Sequence, residues 1–450
     1  MYKQGVSSMG NASRQLIDRP KYLQDLSKWT GQNDLVKIVT GVRRCGKSKL
    51  LELFQANLIM KNLATDEQII SVNLEDPVQA KEIGLTLTEN KRLRSYETLS
   101  DYILNRLQKD KMNYVFIDEI QLLEDWEQAA NALRLRSNVD VYLTGSNAYM
   151  FSGDLANVFG GRYIEIKMLP YSFAEYCNAY NSMIGLKAFE NREDFLKRHD
   201  LQTIYTKYVT ESGFPQTVNL AFDRQMINDY LHDTVYMNTL QKDIVRRFNI
   251  ADSNKLDSVV RYMFDNIGNE TSLRSIERGL KAAGYSVSAP SIDVYLKGLL
   301  DSYLLYKCER YDIKGKKYLD SNAKYYAVDT GLRGILIGQK NADYGHILEN
   351  VVYLELLRRG YKVSVGRIYS AGKNLEVDFV AQKAGGQVEY YQVALYALEP
   401  TTLQRELAPL EAIDDNYPKF ILSLDFGSGE TKGIKQLNVI DWLLNDVKNV

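Results

Sequence analysis

Residues 41–48 read Gly41-Val42-Arg43-Arg44-Cys45-Gly46-Lys47-Ser48, and every fixed position of G-x-x-x-x-G-K-[ST] is met. The pattern is a phosphate-binding loop. Its two glycines accept backbone conformations closed to other residues, so successive N–H groups can turn inward around phosphate oxygens. Lys47 brings a point charge for the outer phosphates, and the Ser48 hydroxyl is of the type that ligates Mg²⁺. A helix beginning here aims the positive end of its dipole at the same oxygens. Gly41, Arg44, Cys45, Gly46, Lys47, Ser48 and Lys49 are therefore the expected nucleotide-contacting set.

The flanks agree. Leu35 to Thr40 is a β-branched run of the kind that forms a buried strand. Lys49 to Leu58 reads as a helix. Strand, glycine loop and helix in that order is the context the motif requires. A second run, Tyr114-Val115-Phe116-Ile117-Asp118-Glu119, ends in two carboxylates. Such a run suits a parallel strand buried on both faces, with acids at the edge where α/β sheets bind ligands. Asp118 is expected to orient Mg²⁺ or its water, and Glu119 to polarise an attacking water. A third run, Val139 to Asn147, ends in Ser146 and Asn147. Either could hydrogen-bond a γ-phosphate, although a strand-to-helix turn favours the same residues for local reasons. Arg162, in Phe159-Gly160-Gly161-Arg162-Tyr163, is a candidate for stabilising transition-state charge, in cis or from a neighbouring subunit. A surface arginine after a Gly-Gly turn is the competing reading.

Composition bounds the rest. A chain of 450 residues is too long for one core. Apolar residues make up 45% and charged residues 25%, the balance of an ordinary globular protein. With 56 basic and 57 acidic residues the net charge is −1, so whole-chain charge argues for neither nucleic acid nor an anionic membrane. Cys45, Cys177 and Cys308 are too far apart in sequence for a disulfide framework or zinc spacing, and the histidines (His199, His232, His346) show no ligand spacing. Met1 to Arg19 lacks the apolar stretch of a signal peptide, and no run approaches a membrane span. The expected compartment is the cytoplasm.

The expected class is α/β: a P-loop, AAA-type parallel sheet, then a helical and winged-helix-like region, then a C-terminal α/β nuclease-like domain. The expected divisions are a lead-in with a helix over 1–30, the P-loop core over 31–180 and a helical lid or adaptor over 181–245. A winged-helix-like domain follows over 246–335, and a degenerate PD-(D/E)xK nuclease-like domain over 336–450. In the core, strands are expected at 35–40, 69–74, 114–118, 139–144 and 163–167. Helices are expected near 47–62, 96–109, 125–136 and 147–157. This order places the loop strand and the Asp118 strand one strand apart. In the 246–335 segment, helices at Lys255–Ile267, Ser272–Ala283 and Ser291–Ser302 precede two strand-like runs joined by Lys314-Gly315-Lys316-Lys317. That pattern could place a helix in a DNA groove and lysines on phosphates. Asp293 and Asp301 on the same helix oppose such a use. In the last segment, Glu349 on a helix with Asp378 and Gln392 on a hairpin forms a weak second-site pattern. Ala394 stands where a nuclease lysine would, and Gln392 replaces an acid, so nuclease activity is not expected.

Taken together, the motifs resemble one known family. The carriers are the 41–48 loop, Phe116-Ile117-Asp118-Glu119-Ile120-Gln121, Leu143-Thr144-Gly145-Ser146-Asn147, Gly161-Arg162 and Gly213-Phe214-Pro215. Further carriers are Tyr326-Ala327-Val328-Asp329-Thr330-Gly331-Leu332-Arg333, Glu376-Val377-Asp378-Phe379 and Tyr391-Gln392-Val393-Ala394. The chain is similar to prokaryotic AAA-type ATP-binding proteins with a C-terminal domain of unknown function. The resemblance covers nearly the whole chain. It implies an ATPase core, a winged-helix-like middle and a degenerate nuclease-like end. ATP and Mg²⁺ are the expected cofactors, with hydrolysis expected, and nucleotide state would then move the C-terminal domains as in other phosphate-gated proteins. DNA, or another protein bound by a nucleotide-regulated scaffold, are the alternative partners.

Overall fold

The apolar runs around the glycine loop form one sheet. The computed structural model describes residues 17–88, 92–147, 159–186, 200–220, 222–338, 343–370 and 372–444. Strands β1 (Val36–Thr40), β2 (Ile69–Asn73), β3 (Asn113–Asp118), β4 (Val139–Gly145) and β5 (Tyr163–Lys167) lie in the order β2-β3-β4-β1-β5. Every neighbouring pair is parallel. The loop strand β1 and the Asp118 strand β3 are thus separated by β4 alone, as the order of elements in the sequence requires. The helix expected at 147–157 lies outside the described residues but for its first position.

Both faces of the central strands β1, β3 and β4 are covered, so their positions are buried almost throughout and do not alternate, whereas the edge strand β2 does alternate. Val36, Ile38, Val115, Ile117, Val141 and Leu143 pack into a core on one face. Val39, Phe116 and Tyr142 point to the other, where Phe54 of helix α1 (Lys47–Met60) meets them. The Phe116 and Tyr142 rings stack 4.9 Å apart.

The passage from β1 into α1 depends on glycine. Gly41 has φ +148°, and a Cβ there would lie 2.1 Å from the Met168 carbonyl oxygen. Gly46 has φ +107° and precedes the first turn of α1. We expect Gly41→Ala to destabilise the chain by more than the about 1–3 kcal/mol of its backbone strain, because the loop must also move off Met168. A thermal melt of the purified variant checks this, and an unchanged melting temperature would contradict it.

The second half contains an eight-stranded mixed sheet. Its strands are β6 (Leu305–Asp312), β7 (Lys317–Ala327), β8 (Lys362–Ser370), β9 (Lys373–Gln382), β10 (Val388–Val393), β11 (Lys419–Ser423), β12 (Gly429–Thr431) and β13 (Ile434–Asn438). They run β12-β13-β11-β10-β9-β8-β6-β7. The three helices expected before the hairpin form at Ser253–Asp265, Leu273–Ala282 and Ala289–Asp301, the last termed α2. The β6–β7 hairpin corrects the winged-helix expectation. It is no free wing, because β6 pairs in parallel with β8 and so extends the C-terminal sheet. The sheet therefore runs across the expected boundary at 335. Parallel pairing of β6 with β8 satisfies backbone groups that a free wing would leave to water. Among the described residues, no helix is long and apolar enough to cross a membrane.

Candidate functional site

The phosphate loop follows β1, and Asp118 ends β3, so both lie at the C-terminal edge of the parallel sheet. Lys47 is buried, 4% exposed. Its ammonium donates to the carbonyls of Gly41 (3.1 Å) and Val42 (3.2 Å) and lies 3.8 Å from the Glu119 carboxylate. A buried cation held by two carbonyls and a nearby acid retains capacity for an anion.

One hydroxyl ties the two acids together. Thr144, near the end of β4, donates to the Asp118 carboxylate and accepts from the Glu119 N–H at 2.8 Å. The Ser48 hydroxyl lies near Asp118. Burial pushes the Asp118 carboxyl up, against the Ser48 and Thr144 hydroxyls, which favour its ionised form. Glu119 behaves oppositely. Burial would raise its pKa, but Lys47 and Arg43 together hold it below the usual range. Its backbone sits in the left-handed region at φ +52°, a strained conformation typical of functional positions. Gln121 donates to Glu119 and, at 3.1 Å, to Ser146. The Gln121 side-chain oxygen is buried without a protein partner among the described residues. Asn147 accepts from Arg247 at 2.9 Å.

These residues fit a magnesium nucleotide. The buried Gln121 oxygen beside Glu119 has a lone pair left for a ligand or its water, and Ser48 beside Asp118 supplies the hard oxygen ligands that Mg²⁺ prefers. Lys47 supplies the complementary charge.

Other expected residues sit elsewhere. Lys49 turns its side chain outward to Glu52 (2.7 Å), so only its backbone can face the loop. Arg44 is exposed with φ +67°. Cys45 is buried, and its carbonyl accepts from Arg19 at 3.3 Å. Arg162 corrects the cis reading. It precedes β5, whose first residue Tyr163 pairs with Val36 at the start of β1. It therefore lies at the opposite edge of the sheet, about 16 Å along the strands from the loop. Its half-exposed side chain lies 3.6 Å from Asp34. That place fits an ordinary surface arginine, and of the two catalytic readings it leaves supply to a neighbouring subunit.

Two residues missed in the sequence reach this edge from far away. Asp243 accepts from Arg43 Nε (2.6 Å) and Nη2 (2.8 Å). Arg247, besides Asn147, donates to Asp301 at 2.9 Å. No local pattern marks Asp243 or Arg247. Arg43 was visible as a motif position, but its partner was not.

The second-site residues also converge. Asp378 accepts from the Val393 N–H (2.9 Å), and its own N–H donates to Gln392 (2.8 Å). Gln392 donates to Glu406 (2.9 Å). Burial, with Glu349 nearby, pushes the Asp378 carboxyl well up. Glu349, on helix α3 (Tyr344–Arg358), accepts from Tyr326 (2.5 Å). A lysine reaches this cluster from another strand. Lys324 of β7 bridges Glu349 (2.8 Å) and Glu376 (2.9 Å) and is 6% exposed. Among the described residues, no group of three or more His, Cys, Asp or Glu is disposed to hold a metal ion. Removing Lys324 leaves the buried Glu349 without its cation, while Glu376 keeps Arg367 (2.5 Å), so Lys324→Ala should destabilise by about 3–5 kcal/mol. Denaturant unfolding of the C-terminal half measures this, and a loss under 1 kcal/mol would show that the pair is only superficial.

Comparisons agree with this architecture. Residues 33–177 match an AAA domain, and residues 202–343 match a domain of unknown function. An uncharacterised protein of Haemophilus influenzae is 35% identical over 436 residues, covering 96% of this chain and 100% of its own length. The chain belongs to this family of AAA-domain proteins carrying a second domain of unknown function. An uncharacterised protein of Methanocaldococcus jannaschii is 27% identical over 390 residues, covering 84% of this chain and 79% of its own. Among solved structures, a Walker-type ATPase of Pyrococcus abyssi is similar, with 15% identity and a TM-score of 0.46, covering 71% of this chain and 95% of its own. The family's AAA core accounts for the parallel sheet and the glycine loop.

Proposed function

We propose that this AAA-family protein binds ATP at Gly41–Ser48 and hydrolyses it in a Mg²⁺-dependent reaction. The observation that carries the reading is the single Thr144 hydroxyl that joins Asp118 and Glu119 beside Lys47. Loop N–H groups and Lys47 hold the phosphates. Ser48 and Asp118 hold the metal, which when bound supplies charge neutralisation for the departing phosphate. Glu119, kept ionised by its cationic neighbours, orients and polarises the attacking water, with Gln121 fixing its carboxylate. Asn147 and Ser146 lie at the end of β4 in reach of an outer phosphate. Arg162 serves a neighbouring subunit if the protein assembles.

Nucleotide state then repositions the second half. The links are Arg43–Asp243, Asn147–Arg247–Asp301 and the Tyr303 hydroxyl, which donates to Glu165 at 3.1 Å. Phosphate release from ATP by the purified full chain, with Mg²⁺ and with chelator, tests the reading. Release only with Mg²⁺ supports it, and no release above buffer contradicts hydrolysis.

A further inference from the structure

The phosphate loop already faces an internal anion. Arg43 and Asp243 meet side-on through two hydrogen bonds of 2.6 and 2.8 Å, with side chains 13% and 7% exposed. Through Arg43, a residue of the phosphate loop, Asp243 is tied to that loop, and Lys47 and Glu119 lie within electrostatic reach of its carboxylate. Given the ATP site proposed above, we infer that Asp243 competes with the triphosphate for Arg43, and so sets nucleotide affinity while tying site occupancy to the 240–248 segment.

The argument is one of charge. A triphosphate brings several negative charges to a low-dielectric place where Asp243 already carries one. Arg43 donates to only one of these anions with its Nε–Nη2 edge. Surrendering Arg43 leaves Asp243 buried and unpaired, which is costly unless its segment moves outward. Residues 230–237 and 240–245 are wound in π-type turns, a rare helix form that is frequent at functional sites. The same segment carries Arg247, bonded to Asn147 and to Asp301 at the end of α2. Gly298 of α2 fits so closely on Ile244 that a Cβ would lie 2.7 Å from its methyl group. Helix α2 runs through Tyr303 into β6 of the C-terminal sheet. Movement of Asp243 therefore reaches that sheet through contacts already present. The exposed Lys242–Glu75 pair at 3.9 Å adds little.

Asp243→Asn keeps the shape and an acceptor for Arg43 but removes the competing charge. Calorimetric titration of Mg·ATP into the full chain should show affinity about three- to tenfold tighter than wild type. Equal or weaker binding, with the wild type still binding and Lys47→Ala still failing to bind, overturns the competition and leaves the ATP site intact. Absence of binding by the wild type would contradict the ATP site itself. Hydrogen exchange on the wild-type chain decides the matter even if Asp243→Asn misfolds. With Mg²⁺ and a non-hydrolysable ATP analogue, amides of 240–248 should exchange faster, and unchanged or slower exchange would overturn the inference.

Discussion

Lys47→Ala should lower ATP affinity by about a hundredfold or more. The ammonium is the one buried cation seated inside the loop among the described residues, between the Gly41 and Val42 carbonyls and Glu119. Hydrogen bonds to charged groups are worth about 1.5–3 kcal/mol each. One such bond to the phosphates, with the ammonium's coulombic attraction for the remaining oxygens, amounts to at least about 3 kcal/mol, and every 1.4 kcal/mol is tenfold. The fold should survive, because alanine is a good helix former at the start of α1 and Glu119 keeps Gln121 as a partner. Titration calorimetry beside a thermal melt separates the two effects. Loss of binding without loss of melting temperature is expected, and wild-type affinity in the variant would remove Lys47 from the site.

Glu119→Gln should have the complementary effect, retaining ATP while losing turnover. The substitution keeps the shape that Gln121 and Ser146 surround but removes the charge that polarises water. General-base catalysis contributes about 10²–10⁴ in rate, so kcat should fall by at least about a hundredfold. KM should change little, since a group that acts on the attacking water contributes mainly in the transition state. The buried carboxylate is held below the usual range against the effect of burial, so it stays ionised through neutral pH. The rate should accordingly not fall as pH drops from 8 to 6 because of this group. A residual kcat within a few-fold of wild type would assign the base elsewhere.

Much of this was legible because the chemistry is local. The loop, its strand and its helix are contiguous, and a buried parallel strand announces itself by unbroken apolar residues ending in acids at Asp118. The role of Thr144 could not be read, since small polar residues at a strand end serve turns as readily as sites. Arg162 could have been placed better. It precedes its strand whereas the loop follows its own, so parallel strands put the two at opposite edges. Asp243 and Lys324 were beyond reach for a different reason. Asp243 meets Arg43 across 200 positions, and Lys324 meets Glu349 from a strand 25 positions away. A charged residue in an amphipathic stretch carries no sign of which buried partner tertiary packing will bring to it. The expected wing failed on the same ground, because hairpin pattern says nothing of what pairs with its outer edge.

The central claim is that Lys47, Ser48, Asp118 and Glu119 share one nucleotide site. A crystal structure of the full chain with Mg²⁺ and a non-hydrolysable ATP analogue tests it most directly. The account predicts phosphate oxygens inside the 41–48 loop against Lys47, with the metal at Ser48 on the Asp118 side. A nucleotide bound elsewhere on the chain, with the loop empty, would contradict it.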